Sequence, residues 1–515
     1  MSSTSAAPVL PLESVRHLRL FESRDEKSLL VHQLEVLLDK CYVHLALKEH
    51  MLGVKPVQQV RLLQENLERY PDDPSFLAAL LRLVTGLRDL HTLIHLPEPW
   101  SRFTAFLPFQ LQEYFDASGV ARYLVKELAP GVDLGGDFIR GVEVTHWNGE
   151  PMAHEVHRLA ETTVGANHPA RRRLALEALT RRALKYSPPP DEDFVLLTYL
   201  GKKGPTHLEL PWLVRDVSPG GQQARPDSRG VTALGANEQS SLAPDRVRCA
   251  DSLFPESLSF RSVETPSGRW GYLRIINFQV GDVEGFVREV ERIVRMLPET
   301  GLLIDVRGNQ GGSIPASERL LQLFTPSRIE PVPFSFRCTD FTRELSESSE
   351  RWSPWRPSLQ RGVVTGELFS QGFALTPVEQ ANSVGRIYKG PVVLLCDALS
   401  YSAAELFIAG FKDHHIGKIL GVDTLTGAGG SSLYWHQQFV RDGLHEPGSP
   451  LKPLPCGVAM HVALLRSTRV GPKRGTPLEG TGVECDFSYR YTRDDVLHGD
   501  VDLLNRAGQL LAGGG

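Results

Sequence analysis

Residues 390–413 read GPVVLLCDALSYSAAELFIAGFKD. The run Val392 to Cys396 is wholly apolar, as in a strand covered on both faces of a sheet. From Ala403 the apolar residues recur at helical spacing: Ala403, Leu406, Phe407, Gly410 and Phe411. The segment predicts a strand, a tight turn and a helix, with Ser402 where the turn becomes the helix. There a hydroxyl faces the positive end of the helix dipole, and the amide of Ala403 points the same way. A nucleophilic serine needs an exposed oxygen with backbone donors beside it. Ser400 or Ser402 acting as a plain helix cap accounts for the same residues. This stretch alone does not separate the two readings.

Upstream, strand and helix alternate from about residue 251. WGYLRIINF (270–278) is strand-like, and Val283, Phe286, Val287, Val290, Ile293, Val294 and Leu297 form a helical stripe. GLLIDVRG (301–308) is a second buried strand, ending in Gly308-Asn309-Gln310-Gly311-Gly312. Such glycines let backbone N–H groups approach a substrate, or simply make a tight strand-to-helix turn. Downstream come KILGV (418–422) and a glycine-rich loop, Thr426 to Gly430. This alternation predicts an α/β domain of layered sheets over 251–515. Residues 1–104 read as a helical N-terminal region, with apolar stripes through Leu30 and Leu34, Val60 and Leu63, and Phe76 onward. Residues 105–215 read as a compact domain of strands with one or two helices. Its signals are an Asn148-Gly149 turn, a helical stretch from Ala170 to Leu184, and a strand pair in FVLLTYL and HLELPWLV. Residues 216–250, rich in Gly, Pro, Ser, Gln and Asn, predict a flexible linker open to proteolytic nicking.

Composition narrows the function. The chain of 515 residues is 41% hydrophobic, enough for several cores, and its net charge is −5 with no long basic run, which argues against nucleic acid or anionic membrane as partner. The six cysteines are scattered without a CxxC pair, as expected of reduced, buried thiols rather than a disulfide framework or zinc knuckle. The N-terminus lacks a signal-peptide pattern and no apolar run has membrane-span length. The expectation is a soluble cytoplasmic protein, with non-classical export left open.

Three separated elements then line up: IDVRGNQGGS (304–313), the Ser402 segment, and PLEGTGVECDF (477–487). In this order they resemble the serine peptidase family of tail-specific and C-terminal processing proteases, with motifs like DLRGNGGG, SxSAxE and EGxGVxPD. The likeness covers roughly residues 250 to 510. It implies a crotonase-like ββα spiral catalytic domain, joined to a PDZ-like domain at 105–215. Many members use a Ser–Lys dyad, with the lysine in a loop that here reads GVDTLTGAGG (421–430) and has none. A second branch, with the tricorn core protease and chlamydial protease-like activity factor, uses Ser–His–Glu, its histidine lying in a motif like RDxH before LPF. Here Arg88-Asp89-Leu90-His91 precedes Leu107-Pro108-Phe109, and Leu90 stands where tricorn has an extra serine.

The resemblance implies Ser402 as nucleophile, His91 as general base and Glu479 as orienting carboxylate, with Glu484 as second choice. The oxyanion hole would combine the N–H of Ala403 with that of Gly311 or Gly312. No cofactor and no metal is implied. His91 and His95 are four apart, but HTLIH lacks the internal glutamate of a zinc-protease helix. Glu405 is read as favouring the first turn of its helix, Asp305 and Arg307 as bracing a strand end, and Asp413 in Asp413-His414-His415 as structural. The expected function is a serine endopeptidase acting on extended protein or peptide chains, activated by self-cleavage in the linker; a homodimer fits the resemblance. A non-catalytic peptide- or ligand-binding module and a small-ester or amide hydrolase are the alternatives.

Overall fold

The computed structural model describes residues 9–216, 252–442 and 449–513. Apart from Asp216, the linker expected at 216–250 lies outside the described residues. The C-terminal half contains a six-stranded sheet in the order Leu258–Thr265, Gly268–Ile275, Leu302–Asp305, Val392–Cys396, Lys418–Gly421, Phe487–Ser488. The first pair is antiparallel and the others parallel. All five residues of Val392–Cys396 are buried, as a parallel strand covered on both faces requires. One cover is the helix Val283–Met296, whose predicted stripe buries Phe286, Val287, Val290, Ile293 and Val294. The helix Ala403–Asp413 leaves the sheet at the C-terminal end of the fourth strand, where α/β sheets place their ligands.

A second sheet positions the other half of the site. The strand Ala459–Ser467 pairs with Ser431–Trp435 and Pro333–Phe336, and also with the short strand Leu93–His95. This last pairing (Leu93↔His461, His95↔Ala459) draws the N-terminal region against the C-terminal half. The helices Arg24–Val36, Leu45–Leu52, Pro56–Glu65 and Asp73–Thr85 precede it. The first begins at a Ser23–Glu26 capping box, and its buried Lys27 pairs with Asp73 at 2.9 Å.

Between residues 103 and 216, Phe194–Gly201 and Gly204–Pro211 form the expected hairpin, and Asn148 and Gly149 both take positive φ, as a primed turn needs. Another sheet runs Val9–Pro11, Leu213–Asp216, Phe103–Phe106, Arg181–Ala183, so its strands come from both sides of position 104. The helix expected from Ala170 to Leu184 spans His168–Ala178 instead. Arg181–Ala183 pairs with Phe103–Phe106, because completing that sheet outweighs the local helix preference of arginine and alanine. Among the described residues no cysteines are bridged, and no helix is long and apolar enough to cross a membrane.

Candidate active site

Ser402 adopts φ 57°, ψ −128°, a conformation L-residues avoid and one that costs about 1–3 kcal/mol where the surroundings enforce it. Its neighbours do enforce it. Tyr401 N–H donates to Asn309 O (2.9 Å), Ser402 N–H to Gly429 O (3.2 Å), and Leu406 N–H to Ser402 O (3.0 Å). The Ser402 side chain caps nothing; Oγ lies 3.0 Å from His91 Nε2. Ser400, by contrast, is buried with Oγ 2.9 Å from Val306 O and 3.0 Å from Asp397 Oδ1, so it braces the turn. Of the two readings of this segment, the geometry favours a presented hydroxyl over a cap.

The glycines of 308–312 close against the elbow. A Cβ on Gly311 (φ +95°) would sit 2.7 Å from both Ala403 N and Ser402 Cβ, and one on Gly312 (φ +139°) 2.2 Å from the Phe278 carbonyl carbon. Gly311 N–H already donates to Asn309 Oδ1 at 2.9 Å. The N–H groups of Gly312 and Ala403 have no acceptor among the described residues, so of the three expected donors these two are unspent.

Arg88 (φ 53°) leads into a turn that carries His91 and is closed by Thr92 N–H on Asp89 O at 3.3 Å. Asp89 shapes this turn, its Oδ1 accepting the His91 N–H (2.8 Å) and its Oδ2 the Thr92 hydroxyl (3.1 Å). Burial works against the Asp89 charge, but Lys48, His44 and His91 hold its carboxyl below the usual value. His91 Nδ1 lies 3.0 Å from the Tyr401 hydroxyl, and the two rings stack with centroids 4.7 Å apart. Burial lowers the imidazole to about 4, with Asp89 opposing.

Glu479 is buried behind this pair, its carboxylate within 4.8 Å of a ligand atom of His91 and of Asp89. One oxygen accepts from Lys48 Nζ; the other lies 3.9 Å from His44 Nε2 and has no hydrogen-bond partner among the described residues. Burial pushes the Glu479 carboxyl up to about 8, against the pull of Lys48. Lys48 also donates to Arg88 O (3.0 Å), tying the ion pair to the His91 turn. Glu484 is exposed and outside this cluster.

Glu405 does more than favour a helix terminus. Fully buried, it accepts from Thr426 Oγ1 and from the N–H groups of Ala428 (2.8 Å) and Gly429 (2.6 Å), clamping the 426–430 loop against the elbow. Burial raises its carboxyl to about 7. Asp305 binds Tyr272, Arg274 and Arg307, and Asp413 pairs with Arg469, both as braces. His95 lies on a strand 3.0 Å from His461, not on a helix facing His91's side of a shared ion. Two sets of ligand-type side chains converge among the described residues: the buried Asp89, His91 and Glu479, and the exposed His157, Glu161 and His168. The first is already spent on Lys48, Thr92 and Ser402, and Glu161 of the second is engaged by Arg88 at 3.3 Å.

Lys48, His44 and the loop clamp of Glu405 leave no motif in the sequence. Tyr401, missed as well, did carry a signal, its position immediately before Ser402. The hydroxyl and imidazole open into a cleft of about 1910 Å³, walled by Ile276, Val280, Ile314, Leu433 and Trp435. Such a site can present an alkoxide-forming hydroxyl, a base and two unspent N–H groups to an extended chain.

Residues 269–444 match the profile described as Peptidase family S41. No curated protein matches the sequence. Among solved structures, mature CPAF aligns at TM-score 0.70 and 17% identity, over 95% of this chain and 98% of that one. Mature CPAF complexed with lactacystin aligns at 0.67 and 17%, over 95% and 99%. These are likenesses of fold. The photosystem II D1 C-terminal processing protease overlaps more loosely, at 0.42 and 15%, over 94% and 98%.

Proposed function

We propose that the chain is a serine endopeptidase acting through Ser402, His91 and Glu479, a reading supported by the match of residues 269–444 to peptidase family S41. His91 Nε2 takes the Ser402 proton as Oγ attacks the scissile carbonyl. The Gly312 and Ala403 N–H groups receive the oxyanion. His91 then protonates the leaving amine, and water releases the acyl chain by the same steps reversed. When ionised, which Lys48 favours against the burial that raises its carboxyl to about 8, Glu479 supplies negative charge close to the imidazolium. The observation that carries this reading is the 3.0 Å Oγ–Nε2 contact on a strained elbow beside two unspent donors.

Residues 105–215 are read as a PDZ-like domain and the parallel sheet as the core of a crotonase-like spiral. Gly204–Pro211 is an outer strand of its sheet, where an extended substrate segment can add as a further strand. Self-cleavage within 216–250 is the proposed activation step; mature forms are named for CPAF, and lactacystin, which one of those structures contains, is the first inhibitor to try. The test is labelling with a fluorophosphonate probe. Labelling of wild type that disappears in Ser402→Ala supports the reading. Absence of labelling, even after limited proteolysis in 216–250, overturns it.

A further inference from the structure

We infer that Tyr401 is the positioning residue for His91, accepting its Nδ1–H and so holding the imidazole in the tautomer that can take a proton from Ser402. This rests on the serine-peptidase reading above and adds a member to that site. A base must leave Nε2 free to accept, which puts its neutral-state proton on Nδ1. Neither nearby carboxylate receives that proton. Asp89 spends its oxygens on His91 N–H and the Thr92 hydroxyl, and Glu479 gives one oxygen to Lys48 while the other has no hydrogen-bond partner among the described residues. The group at Nδ1 is the Tyr401 hydroxyl, 3.0 Å away.

The surroundings are built around that ring. Tyr401 is 2% exposed, and its backbone N–H is tied to Asn309 O. A Cβ on Gly427 would lie 2.7 Å from the Tyr401 ring, and one on Gly429 only 1.8 Å from it. The loop carrying these glycines is clamped by Glu405. Burial, then the fields of Glu479 and Asp89, raise the phenol well above its ordinary value, so it stays neutral and able to accept. Its stacking on His91 also favours the imidazolium that forms on proton transfer.

Tyr401→Phe keeps the ring and removes only the acceptor. In the full chain, the expected result is a fall of about 10- to 100-fold in kcat and in fluorophosphonate labelling rate with KM unchanged, as a buried donor left unpaired predicts. The imidazolium also loses its Nδ1–H acceptor, so the acid limb of the pH–rate profile moves to lower pH. A purely structural loss would scale the profile without moving that limb. Tyr401→Phe at the wild-type rate with an unmoved limb overturns the inference while leaving the peptidase reading intact. Wild type that never labels overturns both.

Discussion

The two halves of the site are built in opposite ways. The Ser402 half is contiguous chain, a buried strand, a strained turn and a helix, and its reagents beyond the hydroxyl are backbone N–H groups. The His91 half is gathered from distant places: Lys48 on an N-terminal helix, the turn at 88–91, Tyr401, and Glu479 in a loop 431 residues beyond Lys48. Its working parts are buried side-chain charges. In the first half the cost is backbone strain; in the second it is desolvation. The halves should therefore fail differently, the first in chemistry with the fold kept, the second in stability as well.

Lys48→Met is the largest expected break. It leaves Glu479 buried without its cation, which costs about 3–5 kcal/mol in denaturant unfolding. Adding Glu479→Gln should restore most of the loss. A single-variant cost under about 1 kcal/mol would mean the pair is not the buried unit described.

Gly311→Ala probes the other half. A methyl group 2.7 Å from Ala403 N and Ser402 Cβ must displace the elbow, at a φ unsuited to alanine. Labelling should fall about 10²- to 10³-fold, the scale of losing an oxyanion donor, with circular dichroism unchanged. Unaltered labelling would separate the glycine loop from the chemistry.

Acid sharpens the contrast. Burial lowers His44 and His461 to about 3, and His91 and His436 to about 4, from an ordinary 6.5. As pH falls below 6.5 the unfolded chain takes up protons that these folded imidazoles refuse. Their contribution to stability is thus full above 6.5 and lost on descent through 4 to 3. As the proposed base, His91 is active when neutral, so by itself it should impose no fall in labelling rate until near pH 4, while a fall through about 8 would report Glu479 taking up a proton. A rate that halves near 6.5 would place His91 in water rather than in this pocket.

The smallest effect is expected at the exposed Glu484. Glu484→Gln should label within about twofold of wild type, since exposed charges are weakly coupled to distant groups, whereas Glu479→Gln should slow labelling measurably. Equal effects would erase the distinction between the two carboxylates.

How much of this was legible follows the same division. The apolar run at 392–396, the helical spacing from Ala403 and the clustered glycines at 308–312 each encode local geometry within a few residues, and each was found in place. The stretch at Ala170 to Leu184 misled because its last turn was claimed by a sheet partner nearly 80 residues away, at Phe103–Phe106. Glu405 looked like a helix-end charge because nothing in its neighbourhood announced the loop it holds.

By itself the sequence determined where a serine could be presented, which glycines the backbone needs beside it, and that the 421–430 loop brings no lysine. Periodicity, chirality and the lack of a side chain on glycine act over one or two turns of chain, so they can be read in order along it. Only the tertiary structure decided that Lys48 meets Glu479, that Tyr401 rather than a carboxylate stands at Nδ1, and that the Gly312 and Ala403 amides are left unspent. Those outcomes depend on which buried polar groups find partners once distant segments close on one another, and such pairing leaves no period in the sequence.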